Sequence, residues 1–243
     1  MSEQEMRPQR PGASDRQSSA PPPGDPTSPG HHGSTANERS ALRMIAGAAC
    51  CVSGIALVIH ILTGMPLWLA FAGLGFTVSV GAVLLEIADP VAMSRLRGLA
   101  ARGVIVGAVG TVAYDSSRWM LVQVGGMHSS PFAALPLFGQ AMLGAGSSGD
   151  AVTVVGIGYH ILNGVAFGTA YVIWLGNRSW WWGIVFALGL EAFMLALYPG
   201  WLHPRSVAEL TQISIVGHLA YGTTLGLTDR WLASRQRPGQ AGL

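Results

Sequence analysis

The 243-residue chain is half hydrophobic and only 11% charged, with a mean hydropathy of +0.41. A soluble domain carries about a quarter charged residues; here the charges are sparse enough to leave apolar runs of about 20 residues, the length that spans a bilayer, so the composition is that of an integral membrane protein. A net charge of +2, without a basic face or basic-aromatic interleaving, excludes nucleic acid as a partner, and the 14 basic residues are all arginine, the habit of a GC-rich bacterial source.

Residues 1–40 are rich in Pro, Ser and Gly and nearly free of large apolar side chains. Such a segment cannot bury enough surface to offset chain entropy, so it reads as a disordered tail. It has no apolar core of a signal peptide, and its neighbouring His31 and His32 are incidental. A transmembrane domain follows over 41–234, with a short tail at 235–243. The fold class expected is an all-α bundle of six membrane helices at about 41–63, 66–87, 100–124, 151–175, 180–198 and 211–232. Cys50 and Cys51, adjacent in the first span, point in different directions on a helix and read as small packing residues. Residues 131–143, "PFAALPLFGQAML", are apolar but too short to span, which suggests an interfacial or re-entrant segment able to act as a lid. The "WWW" at 180–182 fits an interfacial aromatic belt.

Arginine placement sets the orientation. Arg39 and Arg43 lead into the first span, and Arg95, Arg97 and Arg102 lie between the second and third. Arg178 lies between the fourth and fifth, and Arg230, Arg235 and Arg237 close the sixth. These nine fall on one side, against Arg205 alone in the opposite loops, so the positive-inside rule puts both termini in the cytoplasm of a bacterial cell.

Within the apolar runs sit groups that need partners. "GYHILNGVAFG" at 158–168 and "GHLAYGTTLG" at 217–226 share the pattern H-x-x-[N/Y]-G-x-x-x-G. It aligns His160, Asn163, Gly164 and Gly168 with His218, Tyr221, Gly222 and Gly226. A shorter echo runs from His60 to Gly64. The spacing places histidine and both glycines on one helix face, where membrane helices approach closely, and is consistent with an internal repeat. The third span repeats the device with Gly103, Gly107, Thr111 and Asp115. Counting about 1.5 Å per residue brings His160, His218, Asp115 and Glu191 to one level, roughly 3–5 Å outward of the bilayer centre. Tyr114, Arg118, Asn163 and Tyr221 fall near it. The histidines are thus expected to meet the carboxylates, although Asp115 and Arg118 are also spaced for their own i, i+3 ion pair. Two histidines and two carboxylates suit zinc, manganese or non-haem iron, but no H-x-x-x-H or H-E-x-x-H pattern supports a metal.

"GSSG" at 146–149 resembles the G-x-S-G of rhomboid proteases, which are similar in having six spans, cytoplasmic termini and a histidine in the last span. That resemblance implies Ser148 as nucleophile and His218 as base. Two features depart from the family: its H-x-x-G-x-x-x-G spacing is stretched here to H-x-x-x-G-x-x-x-G, and the second span lacks the H-x-x-x-N that helps hold the oxyanion. Ser147 and Ser148 then read as helix N-terminal caps. Over Gly217 to Gly226 the chain resembles uncharacterised bacterial multi-pass membrane families whose last helix carries G-H-x-x-Y-G-x-x-x-G; these carry over no activity.

Ionisable groups inside a membrane are rare and usually functional. The first reading is a binding or transport protein that holds a small polar solute, proton or ion on Asp115, His160, Glu191 and His218, lined by Tyr114, Arg118, Asn163 and Tyr221. The second is a membrane-embedded hydrolase or metal-dependent enzyme using the same groups; the third is a structural or partner-binding protein in which they only pack helices. The partners implied are the lipid bilayer and that solute or ion, with the formation of a homo-oligomer left open.

Overall fold

The computed structural model describes residues 32–204 and 206–235. Among these residues eight helices and no strand occur: α1 (His32–Cys50), α2 (Val52–Thr63), α3 (Leu67–Ala88), α4 (Pro90–Gly125), α5 (Ala134–Leu143), α6 (Asp150–Leu175), α7 (Trp181–Leu202) and α8 (Val207–Arg235). The tail expected over 1–40 lies outside the described residues up to residue 31; residues 32–40 are helical and form the start of α1.

Four helices, α3, α4, α6 and α7, are long and apolar enough to cross a membrane, and α1 with α2 makes a fifth if the bent pair is one span. α8 has the length, at 29 residues, but Gln212, His218 and several threonines dilute its apolar character and it is not among them. The described helices thus supply four to five candidate spans where the sequence suggested six.

The first expected span is broken. α1 and α2 meet at 59°, and the hydrogen-bond ladder explains where. The Cys51 N–H bonds back three residues, to the Ala48 carbonyl at 2.9 Å, while the Cys51 thiol takes the Gly47 carbonyl at 3.5 Å. A side chain that substitutes for the i→i−4 bond bends a helix at that point. Two rings on α6 fit the bent shape: Trp174 lies against Gly47 and Phe167 against Gly54. Cys51 therefore sets the bend as well as packing.

α4 begins abruptly because Asp89 accepts the Ala92 N–H at 2.9 Å and Pro90 occupies the first helical position. It then runs for 36 residues as the central helix, packed against both α6 and α8. α3 buries only Leu67 and Ala70 and turns Phe76, Val83, Leu84 and Ile87 outward, a face suited to lipid.

Two local expectations need correction. α5 lies backbone against backbone on α6: Gly139 abuts the Val152 carbonyl and Gly156 the Leu135 carbonyl. The segment for which the sequence suggested a lid is here docked as a wall of the bundle. Ser147 and Ser148 cap nothing, since the residue before α6 is Gly149 at φ 85°, with no side-chain bond; the Ser147 hydroxyl donates instead to the Leu143 carbonyl that ends α5.

Candidate functional site

The site is built by two helix pairs that share one register. In the α4–α6 pair, a methyl group added to Gly107 would strike Val165 and the Gly164 carbonyl; in the α7–α8 pair, one added to Gly183 would strike the Gly222 carbonyl and Gly226. In each pair the glycine eight residues before a carboxylate touches the glycine four residues after a histidine. Backbones this close leave no room for the helices to slide. Each histidine is consequently brought onto the carboxylate of its own partner helix.

His160 Nε2 lies 3.0 and 3.1 Å from the two Asp115 carboxylate oxygens. His218 Nδ1 lies 2.8 Å from Glu191 Oε2 and 3.0 Å from the Ser214 carbonyl, and the Ser214 hydroxyl donates to the same Glu191 oxygen at 2.6 Å. The two pairs differ in access. Glu191 and His218 are only 2% and 5% exposed, whereas Asp115 is partly open.

Tyr114 stands between the pairs, its ring 5.9 Å from His160 and 5.0 Å from His218. Tyr221 meets Tyr114 edge-on at 6.3 Å and donates its hydroxyl to the Gly164 carbonyl at 2.5 Å, so α8 is tied to α6 beside the site. Arg118 is spread over three partners. Its Nη1 is 3.9 Å from Asp115, its Nη2 donates to the Pro131 carbonyl, and its guanidinium carbon sits 4.7 Å above the Tyr114 ring. The ion pair with Asp115 that the i, i+3 spacing suggested is thus present, at the long end of such contacts and shared with two other partners.

A cavity of about 70 Å3 opens between the two helix pairs, lined by both histidines and by Tyr114, Asn163 and Tyr221. That is room for a few water-sized particles. A second cavity of about 60 Å3 adjoins it, sharing Tyr114, Phe138, His160, Met194 and Tyr198, and reaches Arg118 and Ser214 at the α5 end of the bundle. In the other direction Val106, Tyr171, Val172 and Leu225 form an apolar plug. Beyond it Arg102 Nε pairs with Asp229 at 2.9 Å, and Asp229 also accepts the Asn177 N–H at 3.0 Å.

Of the eight residues singled out in the sequence, Tyr114, His160, Asn163, His218 and Tyr221 line this cavity and Arg118 the adjoining one, while Asp115 and Glu191 stand behind the histidines, in two separate histidine–carboxylate pairs rather than one four-membered cluster. His60 stands apart, bonded to the Met65 carbonyl and packed on Trp201. Among the described residues no three His, Cys, Asp or Glu side chains converge to hold a metal ion. Ser148 is exposed in the α5–α6 connection while His218 is buried on Glu191 and Ser214, which is not the geometry of a serine nucleophile with its base.

Several participants escaped the sequence reading. Ser214 precedes His218 by one helical turn, so the i−4 spacing could have found it. Asp229 continues the His218–Gly222–Gly226 face by three more residues. Arg102, counted with the loop arginines at the start of the third span, is 7% exposed inside α4, and nothing local foretold its partner. No protein family, characterised protein or solved structure matches the chain.

Proposed function

We propose that the chain is a six-span protein of a bacterial cell membrane, with cytoplasmic termini, that binds and moves a proton or small monovalent cation through its outer-half polar site. α8 serves as the sixth span, its polar face turned to α4 and α7. The observation that carries the reading is the charge at the cavity. Asp115 has the Arg118 guanidinium 3.9 Å away as well as His160, whereas the ion-pair and hydrogen-bond partners of Glu191 are His218 and the Ser214 hydroxyl, so the Glu191 charge is balanced only when a proton or cation joins that pair. An unbalanced charge in a low-dielectric interior is costly, and one bound proton or monovalent cation neutralises it. The adjoining cavities lead towards the end that the arginine distribution makes the outer one, while the apolar plug and the Arg102–Asp229 pair close the inner half. A membrane-embedded site with access from one side is what a carrier presents in one of its states.

Proteoliposomes test this. A cation or pH gradient should drive flux through the wild-type protein, and Glu191→Gln should reduce it to the level of empty liposomes while leaving a folded, monodisperse protein. Wild-type flux from Glu191→Gln would overturn the reading. A flux absent from the wild type as well would leave the polar groups with helix packing alone.

Orientation has its own test. Reporter fusions after Gly126 or Pro204 should report the outer side, and those after Arg97 or Arg237 the cytoplasm. A cytoplasmic signal after Gly126 would place the polar site in the inner half.

A further inference from the structure

The arginine-rich end of the bundle holds a larger cleft that the polar site does not use. α1 and α4 both lean on α6 and scarcely touch each other. Arg43 Nε donates to the Ile173 carbonyl at 3.0 Å and Trp174 Nε1 donates to the Met44 carbonyl at 3.1 Å, which fixes α1 against the end of α6. Between α1 and the start of α4 a cleft of about 520 Å3 is left.

Its lining is of two kinds. Arg39 and Arg43 of α1 and Arg95 of α4 line it together with the apolar Leu42, Val91 and Leu96. None of the three arginines forms an ion pair among the described residues. Two carboxylates also line the cleft, Glu38 and Asp89, and Asp89 is engaged as the cap of α4, where it accepts the Ala92 N–H at 2.9 Å. Three guanidiniums against two carboxylates leave the cleft positive, and the positive end of the α4 dipole adds to it. A second cleft meets the first at Asn177 and brings Arg178 and Arg230 with no carboxylate in its lining.

The neighbouring surface selects the kind of anion. Met44, Ile45 and Val91 are 62%, 68% and 62% exposed, on the same turns as the arginines. Bare apolar side chains beside exposed arginines mark the boundary between hydrocarbon and headgroups, where an arginine lays its stem on apolar surface and keeps its charge in the polar layer. A free phosphate would meet the guanidiniums and leave Leu42, Val91 and Leu96 uncovered. A phospholipid covers both, its phosphate on the arginines and its acyl chains on the apolar wall. A zwitterionic headgroup would bring a cation back among the arginines, whereas an anionic one keeps the attraction whole.

We propose that this cleft binds an anionic phospholipid of the phosphatidylglycerol class, its phosphate held by Arg39, Arg43 and Arg95. The site is separate from the polar site between the helix pairs and is independent of what that site carries.

Thermal unfolding of the purified full-length protein in a neutral detergent tests this, with short-chain phosphatidylglycerol, short-chain phosphatidylcholine or inorganic phosphate titrated in at equal ionic strength. Phosphatidylglycerol should raise Tm in a saturating way, and the other two should not. Arg95→Gln, at an exposed side chain with no ion pair to lose, should raise the half-saturating concentration about fivefold, the scale of one basic residue at an anionic surface. Ala92→Trp keeps every charge but fills the cleft, and should abolish the response. Arg235→Gln removes a charge that sits over Trp231, outside the cleft, and should leave the response unchanged. No shift from phosphatidylglycerol, or an equal shift from phosphatidylcholine or phosphate, would overturn the proposal. An Arg235→Gln effect as large as that of Arg95→Gln would overturn it in favour of diffuse attraction, and a full response from Ala92→Trp would place the lipid outside the cleft.

Discussion

Replacing Asp229 by alanine will destabilise the protein by about 3–5 kcal/mol, because it strands the Arg102 guanidinium in a dry interior. Arg102 and Asp229 are 7% and 1% exposed, and the aspartate carries two duties at once. One carboxylate oxygen meets Arg102 Nε at 2.9 Å and the other accepts the Asn177 N–H at 3.0 Å, at a residue held at φ 67°. The pair thereby ties α4, the α6–α7 turn and α8 together at the inner end. Asp229→Asn should cost less, since it preserves the shape and part of the hydrogen bonding. The informative control is Arg102→Met combined with Asp229→Leu. A well-packed apolar pair often matches or exceeds a buried ion pair in stability, so the double variant should recover most of what Asp229→Ala loses. Reversible unfolding in detergent measures all three. An Asp229→Ala protein as stable as the wild type would mean that water reaches Arg102.

The sequence made the polar site legible through periodicity. A histidine followed by glycines at i+4 and i+8 could only mean a close helix contact, and an antiparallel neighbour with a carboxylate at matching depth completed the pair. What it could not supply was the partner choice. His160 and His218 were each compatible with either carboxylate, because a common level along the membrane normal says nothing about position within the membrane plane. Gly183 decides this for His218: by letting α7 contact α8 at Gly222, it delivers Glu191 to that histidine alone. The break at Cys51 was hidden for a different reason. The residues around it are ordinary helix formers in an apolar run, and the bend depends on a thiol taking a backbone carbonyl and on two rings from α6. The packing of α5 was hidden likewise, since a short apolar helix reads the same whether it floats in an interface or docks on Gly156.

The geometry also predicts how the four ionisable groups couple. Asp115→Ala and His160→Ala each remove one half of a contact at 3.0 Å, as do Glu191→Ala and His218→Ala for one at 2.8 Å. Residues in contact give coupling energies of about 0.5–3 kcal/mol, whereas sites that share no partner add within about 0.3–0.5 kcal/mol. Within each pair the double variant should therefore lose clearly less stability than the sum of its singles. The Glu191–His218 pair should show the larger effect, because both groups are buried and the Ser214 hydroxyl is committed to the same carboxylate oxygen. Between pairs the expectation is different from that of one four-membered cluster. His160 and Glu191 communicate only through Tyr114 and the cavity, so His160→Ala with Glu191→Ala should be nearly additive in stability. In flux or ligand retention the same double variant should be non-additive, because both pairs serve one bound cation. Tyr114→Phe keeps the ring contacts with both histidines and should preserve this pattern, while Tyr114→Ala should weaken it. His60→Ala should be independent of all four. Strong stability coupling between His160 and Glu191 would show that the site rearranges into the single cluster that depth alone suggested.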